Sequence, residues 1–158
     1  MNCYHPLNFP CDTEVLRSRL KEVEWTPLVK VRKHGDPQGT PDGWYRSDIP
    51  NYPEYESIMK RVLDIWGIAD GEIIKQSPGV EIPFHIDYKN VSFNLLIYGK
   101  SPIIYEEIGK VHYHCILHNH SKRHTIPSSD VDRYLLRVRL YPLTFEDAVK
   151  RYINRTGD

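Results

Sequence analysis

The sequence predicts a mainly β fold, a sandwich or barrel flanked by a few helices. Three observations predict it. Short β-branched or alternating runs fill the stretch from Glu72 to Leu140, turn residues punctuate them at short intervals, and helical periodicity is confined to three segments outside that stretch. Eleven tyrosines and twelve prolines also suit strands and turns better than a helical bundle.

Each element has its own local reason. Asp12 is placed to cap a helix over Thr13 to Val23, where Val15, Leu16, Leu20 and Val23 recur at helical spacing. Pro53 suits a first helical turn, and Glu54 to Trp66 presents Tyr55, Ile58, Met59, Val62, Ile65 and Trp66 before Gly67 stops it. Thr144, with Asp147 three residues on, resembles a capping box and starts a helix through Ile153. Strands are expected at Glu72 to Gln76, Ile82 to Asp87, Ser92 to Tyr98, Pro102 to Glu106, Val111 to Leu117, His124 to Ile126 and Arg133 to Tyr141. Ser77-Pro78-Gly79, Gly99 to Pro102 and Pro127 to Asp130 read as the turns between them. Lys33 to Pro53, rich in Gly, Pro and Asp, is expected to be a long loop, either a lid over a site or a plain surface connection.

A chain of 158 residues fits one domain: residues 1–71 as helical and loop support, 72–141 as the β core, 142–158 as a closing helix. Lys plus Arg and Asp plus Glu number 21 each, so no global charge points to nucleic acid or a membrane surface. No apolar run reaches the length of a membrane span, and the first residues lack the pattern of a signal peptide. Cys3, Cys11 and Cys115 are an odd, scattered set without metal spacing, which fits reduced thiols in a cytoplasm.

The chemistry-bearing feature is His85-Ile86-Asp87. Residues two apart on a strand share a face, so this pair aims an imidazole and a carboxylate at one point. Two histidines and one carboxylate are the set that holds non-haem Fe(II) with open positions. Alone the motif is weak, since about 0.6 His-x-Asp matches are expected by chance in a chain of this composition. The third ligand must come from a distant strand, and His112, His114, His118, His120 and His124 are all available. Spacing to an arginine separates them: nine residues after His124 stands Arg133, at the head of a strand, whereas the same step from His118 or His120 reaches Pro127 or Ser129. A guanidinium offers parallel donors that match a carboxylate. Tyr134, Leu136, Val138 and Leu140 form one face of that strand and Arg133, Arg137 and Arg139 the other; Arg139 reads as solvent-facing, while Arg137 is a second candidate for the cavity.

Ser77 to Asp87, Leu117 to Ile126 and Asp132 to Leu136 together resemble the Fe(II)/2-oxoglutarate-dependent oxygenases, in their aspartyl/asparaginyl β-hydroxylase-like and prolyl-hydroxylase-like branches. The resemblance covers a little under half the chain. It implies a double-stranded β-helix (a jelly roll, cupin-like) with flanking α-helices, Fe(II) on His85, Asp87 and His124, and 2-oxoglutarate on Arg133. It further implies use of O2 to hydroxylate a C–H bond of a protein side chain (Asp, Asn or Pro) or an amino-acid-like small molecule. Only thirty-six residues separate Asp87 from His124, so the connecting loops must be short for this family. The alternatives are a jelly-roll binding module without catalytic iron, and a cupin-like metalloprotein that does not use 2-oxoglutarate.

Ser92 and Asn94 share one face of the strand after the motif and either contact the oxoacid or metal-bound water, or face solvent. Gln76 reads as a residue at the cavity mouth. His112, His114, His118 and His120 lack a cysteine pair or a spread of ligands for zinc, and read as surface or core residues. Asn119 reads as a turn cap, Cys115 as a small core residue, and Trp25, Trp44 and Trp66 as packing, with Trp44 also a candidate to line a pocket.

Overall fold

A computed structural model describes residues 2–28, 42–87, 91–100 and 102–158. Its strands are β1 (Tyr4–Pro6), β2 (Thr26–Pro27), β3 (Trp44–Asp48), β4 (Gly71–Gln76), β5 (Ile82–His85), β6 (Val91–Tyr98), β7 (Ile103–Tyr105), β8 (Gly109–Val111), β9 (Cys115–Asn119), β10 (His124–Ile126) and β11 (Arg133–Arg139). Its helices are α1 (Thr13–Ser18), α2 (Pro53–Trp66) and α3 (Phe145–Thr156).

The strands form a large sheet in the order β1-β9-β6-β11-β4-β3-β2 and a small one in the order β5-β10-β7-β8. Every pairing is antiparallel. From β4 onward, successive strands alternate largely between the two sheets, which is the winding of a jelly roll.

Both faces of the large sheet are covered. On its outer face Ile73, Phe93, Leu95, Leu117, Leu136 and Val138 pack with the buried stripes of α1, α2 and α3. On its inner face Cys3, Trp44, Ile74, Ile116 and Leu135 meet Ile103, Tyr105, Val111 and Ile126 from the small sheet. Each such side chain contributes roughly 1.5–3 kcal/mol by leaving water.

The helices attach through named polar ends as well as apolar stripes. Tyr55 Oη donates to the Leu16 carbonyl at 2.7 Å, and Trp66 Nε1 donates to the Ala148 carbonyl at 2.9 Å. Gly67 ends α2 at φ 73°, where its N–H reaches the Leu63 carbonyl. Thr144 caps α3 by accepting from the Asp147 N–H, as the capping-box reading expects.

Several local expectations are corrected. The first helix stops at Ser18, because the Leu20 N–H bonds the Arg17 carbonyl in a tight turn that ends it. Val111 to Leu117 is two strands, β8 and β9, with His112 to His114 between them. The stretch from Lys33 to Pro53 is not one long loop: Lys33 to Pro41 lies outside the described residues, and Trp44–Asp48 is β3, paired along its length with β4. The first 71 residues are therefore more than helical and loop support, since β1, β2 and β3 extend the large sheet at both edges. Among the described residues no helix is long and apolar enough to cross a membrane.

Candidate metal centre

The barrel brings the separated histidines to one point. β5 and β10 pair antiparallel with His85 opposite His124, and the same His124 is opposite Tyr105 of β7. Asp87 lies two residues beyond His85, just past the end of β5, with its backbone N–H on the His120 carbonyl at 3.0 Å. Its Oδ2 is 3.3 Å from His85 Nε2. The ligand atoms of His85, Asp87 and His124 all lie within 4.8 Å of one another.

Backbone carbonyls fix which imidazole nitrogen faces the cluster. His85 Nδ1 bonds the Pro83 carbonyl and His124 Nδ1 bonds the Lys122 carbonyl, each at 2.7 Å. A nitrogen bonded to a carbonyl carries the proton, so Nδ1 is the donor in each ring and Nε2 is the nitrogen turned to the cluster, as a metal-binding histidine requires. Burial pushes His124 down to about 4, so it is neutral near pH 7. Burial opposes the charge on Asp87, but hydrogen bonds from His120 and His85 outweigh it and hold the carboxyl well below its usual range. A neutral His124 and an ionised Asp87, with the His85 ring beside them, therefore suit a divalent cation.

Two histidines not assigned to the site from sequence join it. β9 turns His118 inward and the chain carries His120 along the same face. His118 Nε2 lies 3.3 Å from His124 Nε2, and His120 Nδ1 lies 3.1 Å from Asp87 Oδ2. Their earlier reading as ordinary surface or core residues missed this because nothing in the local pattern shows where the end of β9 lies. The spacing His118-x-His120-x3-His124 was the available signal. His112 and His114 are not in either cluster of possible ligands among the described residues.

Ser92 and Asn94 face inward: both are buried, and Ser92 Oγ is 2.7 Å from both His120 Nε2 and Asn94 Oδ1. Asn94 in turn bonds the Tyr113 hydroxyl, and Tyr113 bonds Arg133 Nη2. A continuous polar path thus runs Asp87, His120, Ser92, Asn94, Tyr113, Arg133.

Arg133 is 2% exposed, yet no carboxylate pairs with it among the described residues. Cross-strand register places it beside Gln76, and Gln76 beside Trp44. Three buried polar atoms on this row have no partner among the described residues: Arg133 Nε, Gln76 Oε1 and Trp44 Nε1. Leaving such groups unpaired costs about 1–3 kcal/mol each, a cost that an anion bound there removes for the two donors. Gln76 is fully buried rather than at a mouth, and its Nε2 donates to the Val80 and Pro127 carbonyls. Arg137 differs from Arg133, because Glu72 engages its Nη2 at 2.5 Å. Arg139 is half exposed and 3.6 Å from the same Glu72.

Comparison with solved structures shows where else this jelly-roll fold occurs. A prolyl-4-hydroxylase from Pseudomonas putida superposes at a TM-score of 0.58 with 14% identity, over 87% of this chain and 90% of that one. HygX from Streptomyces hygroscopicus, solved with nickel and 2-oxoglutarate, gives 0.58 at 12% identity, over 89% and 83%. DMSP lyase reaches 0.54 at 10% identity, over 82% and 65%. At these identities the likeness shows a shared fold, on which both oxygenases and a lyase are built. No protein-family model and no curated protein matches the sequence.

Proposed function

We propose that the chain is an Fe(II)- and 2-oxoglutarate-dependent oxygenase that hydroxylates a C–H bond. The observation that carries this reading is Arg133: a buried guanidinium without a carboxylate partner among the described residues, inside the barrel that also gathers His85, Asp87 and His124. A binding module that holds no ion has no use for that combination. Two of the structural neighbours, a prolyl hydroxylase and HygX, support the direction of the reading.

In this account His85, Asp87 and His124 hold the ion by Nε2, a carboxylate oxygen and Nε2. The bound iron supplies the reaction with O2, and 2-oxoglutarate supplies the second pair of electrons as it is converted to succinate and CO2. The remaining work belongs to the chain. Arg133 fixes the far carboxylate of the co-substrate, with Tyr113 orienting the guanidinium from one side and Trp44 Nε1 offering a further donor. The Pro83 and Lys122 carbonyls hold both imidazoles in the metal-binding tautomer. Tyr105, Ile103, Ile126 and Leu135 line the interior and limit water. The substrate we favour is a protein side chain (Asp, Asn or Pro) or a small amino-acid-like molecule.

The reading is tested by adding Fe(II) and then 2-oxoglutarate without oxygen and recording the visible spectrum. A weak charge-transfer band is expected in the wild type, and none in Asp87→Ala. Admitting oxygen should yield succinate. Metal uptake without the band would contradict 2-oxoglutarate chemistry, and absence of metal uptake would contradict an enzyme of this kind altogether.

A further inference from the structure

We propose that His118, His120 and His124 form a second, all-imidazole metal station that takes ions of the Zn2+ class and competes with the His85, Asp87 and His124 set. The ligand atoms of these three histidines lie within 4.8 Å of one another. Nitrogens bound at about 2.1 Å to a tetrahedral ion stand about 3.4 Å apart. The 3.3 Å between His118 Nε2 and His124 Nε2 matches that edge.

Each ring is held the way a ligand is held. One nitrogen bonds an oxygen outside the cluster: His118 Nδ1 to Tyr105 Oη at 2.5 Å, His120 Nε2 to Ser92 Oγ at 2.7 Å, and His124 Nδ1 to the Lys122 carbonyl at 2.7 Å. That leaves His118 Nε2 and His124 Nε2 facing each other and His120 Nδ1 beside them, shared with Asp87 Oδ2 at 3.1 Å, a contact that an ion at the station replaces.

The Tyr105 hydroxyl makes the station adaptable. Without an ion it donates to His118 Nδ1, and His118 Nε2–H donates to the lone pair on His124 Nε2. With an ion, Tyr105 accepts from Nδ1–H and His118 Nε2 is freed as a ligand. A hydroxyl serves either tautomer because it both donates and accepts.

Competition follows from a count of lone pairs. His124 Nδ1 is committed to a carbonyl, so its single free Nε2 serves one ion at a time. Three imidazoles suit Zn2+, whereas two imidazoles and a carboxylate with open positions suit Fe(II). Zinc at the station therefore removes His124 from the iron set. The competition rests on the function proposed above; the zinc station does not.

The test is Zn2+ titration of the metal-free, full-length protein against a chromophoric chelator. Asp87→Ala removes the mixed set, and this variant should still bind one Zn2+ within about threefold of the wild-type affinity. Adding His120→Ala or His118→Ala to it should weaken binding by at least about a hundredfold, the upper end of the cost of losing even an indirect partner. Thermal melts establish that each variant folds, and the less buried His120 decides the matter if the His118 variant does not. Loss of zinc in Asp87→Ala alone, or unchanged affinity on adding His120→Ala, would overturn the station. Failure of the oxygenase reading would appear separately, as a wild type without the 2-oxoglutarate band.

Discussion

His124 joins two demands that pull in opposite directions. A ligand must be neutral, and burial in the barrel makes it so by pushing its pKa down to about 4. The same shift makes the metal-free protein sensitive to acid. In the unfolded chain a histidine takes a proton near pH 6.5, whereas the folded one does not until about 4. Stability is therefore fully present above the unfolded pKa and lost as pH falls through that window. From His124 alone the loss at pH 5 should be about 2 kcal/mol. Burial lowers His118 and His120 in the same direction, so the total should be larger. Urea unfolding of the metal-free protein at pH 7.5 and pH 5 measures it, and equal stabilities would contradict the buried neutral cluster. His85, Asp87, His124 and Arg133 were readable as candidates because metal and carboxylate chemistry restrict residue type and spacing. His118 and His120 were not, since their inward direction depends on the pairing of β9 with β6, a contact between distant stretches.

Elements with local signals were legible and those made by pairing were not. α2 and α3 carry their own start and stop, in Pro53, Gly67 and Thr144, and their stripes of buried residues fall at helical spacing. Thr144→Ala should remove the acceptor for the Asp147 N–H and cost about 1 kcal/mol, measurable as a lowered denaturant midpoint with unchanged slope. An unaltered midpoint would mean that α3 is held by Phe145, Ala148 and Tyr152 without help from its cap. β3 had no such local mark. It sits among Gly43, Pro50 and Pro53, and becomes a strand because β4 offers five residues of register from Trp44↔Gln76 to Asp48↔Glu72. The split between β8 and β9 was hidden for a related reason: β8 pairs in the small sheet and β9 in the large one, a difference of partners rather than of composition.

At the scale of the whole molecule, the large sheet separates two interiors. One is mainly apolar and anchors the helices; the other combines an apolar layer with the polar path from Asp87 to Arg133. From sequence, the strand face bearing Arg133, Leu135 and Arg137 reads as cavity-facing at Arg133 only through its spacing from His124, because alternation reveals two faces without saying which one is enclosed. Closure by the small sheet makes it an interior. Within that interior Glu72 pairs with Arg137, whereas no carboxylate among the described residues pairs with Arg133. The most direct test is calorimetric titration of 2-oxoglutarate into the Mn(II)-loaded wild type, Arg133→Ala and Arg137→Ala proteins. Arg133→Ala should bind at least about 2 kcal/mol more weakly than the wild type, with Arg137→Ala retaining tighter binding than Arg133→Ala. Equal affinity in Arg133→Ala and the wild type would contradict the account.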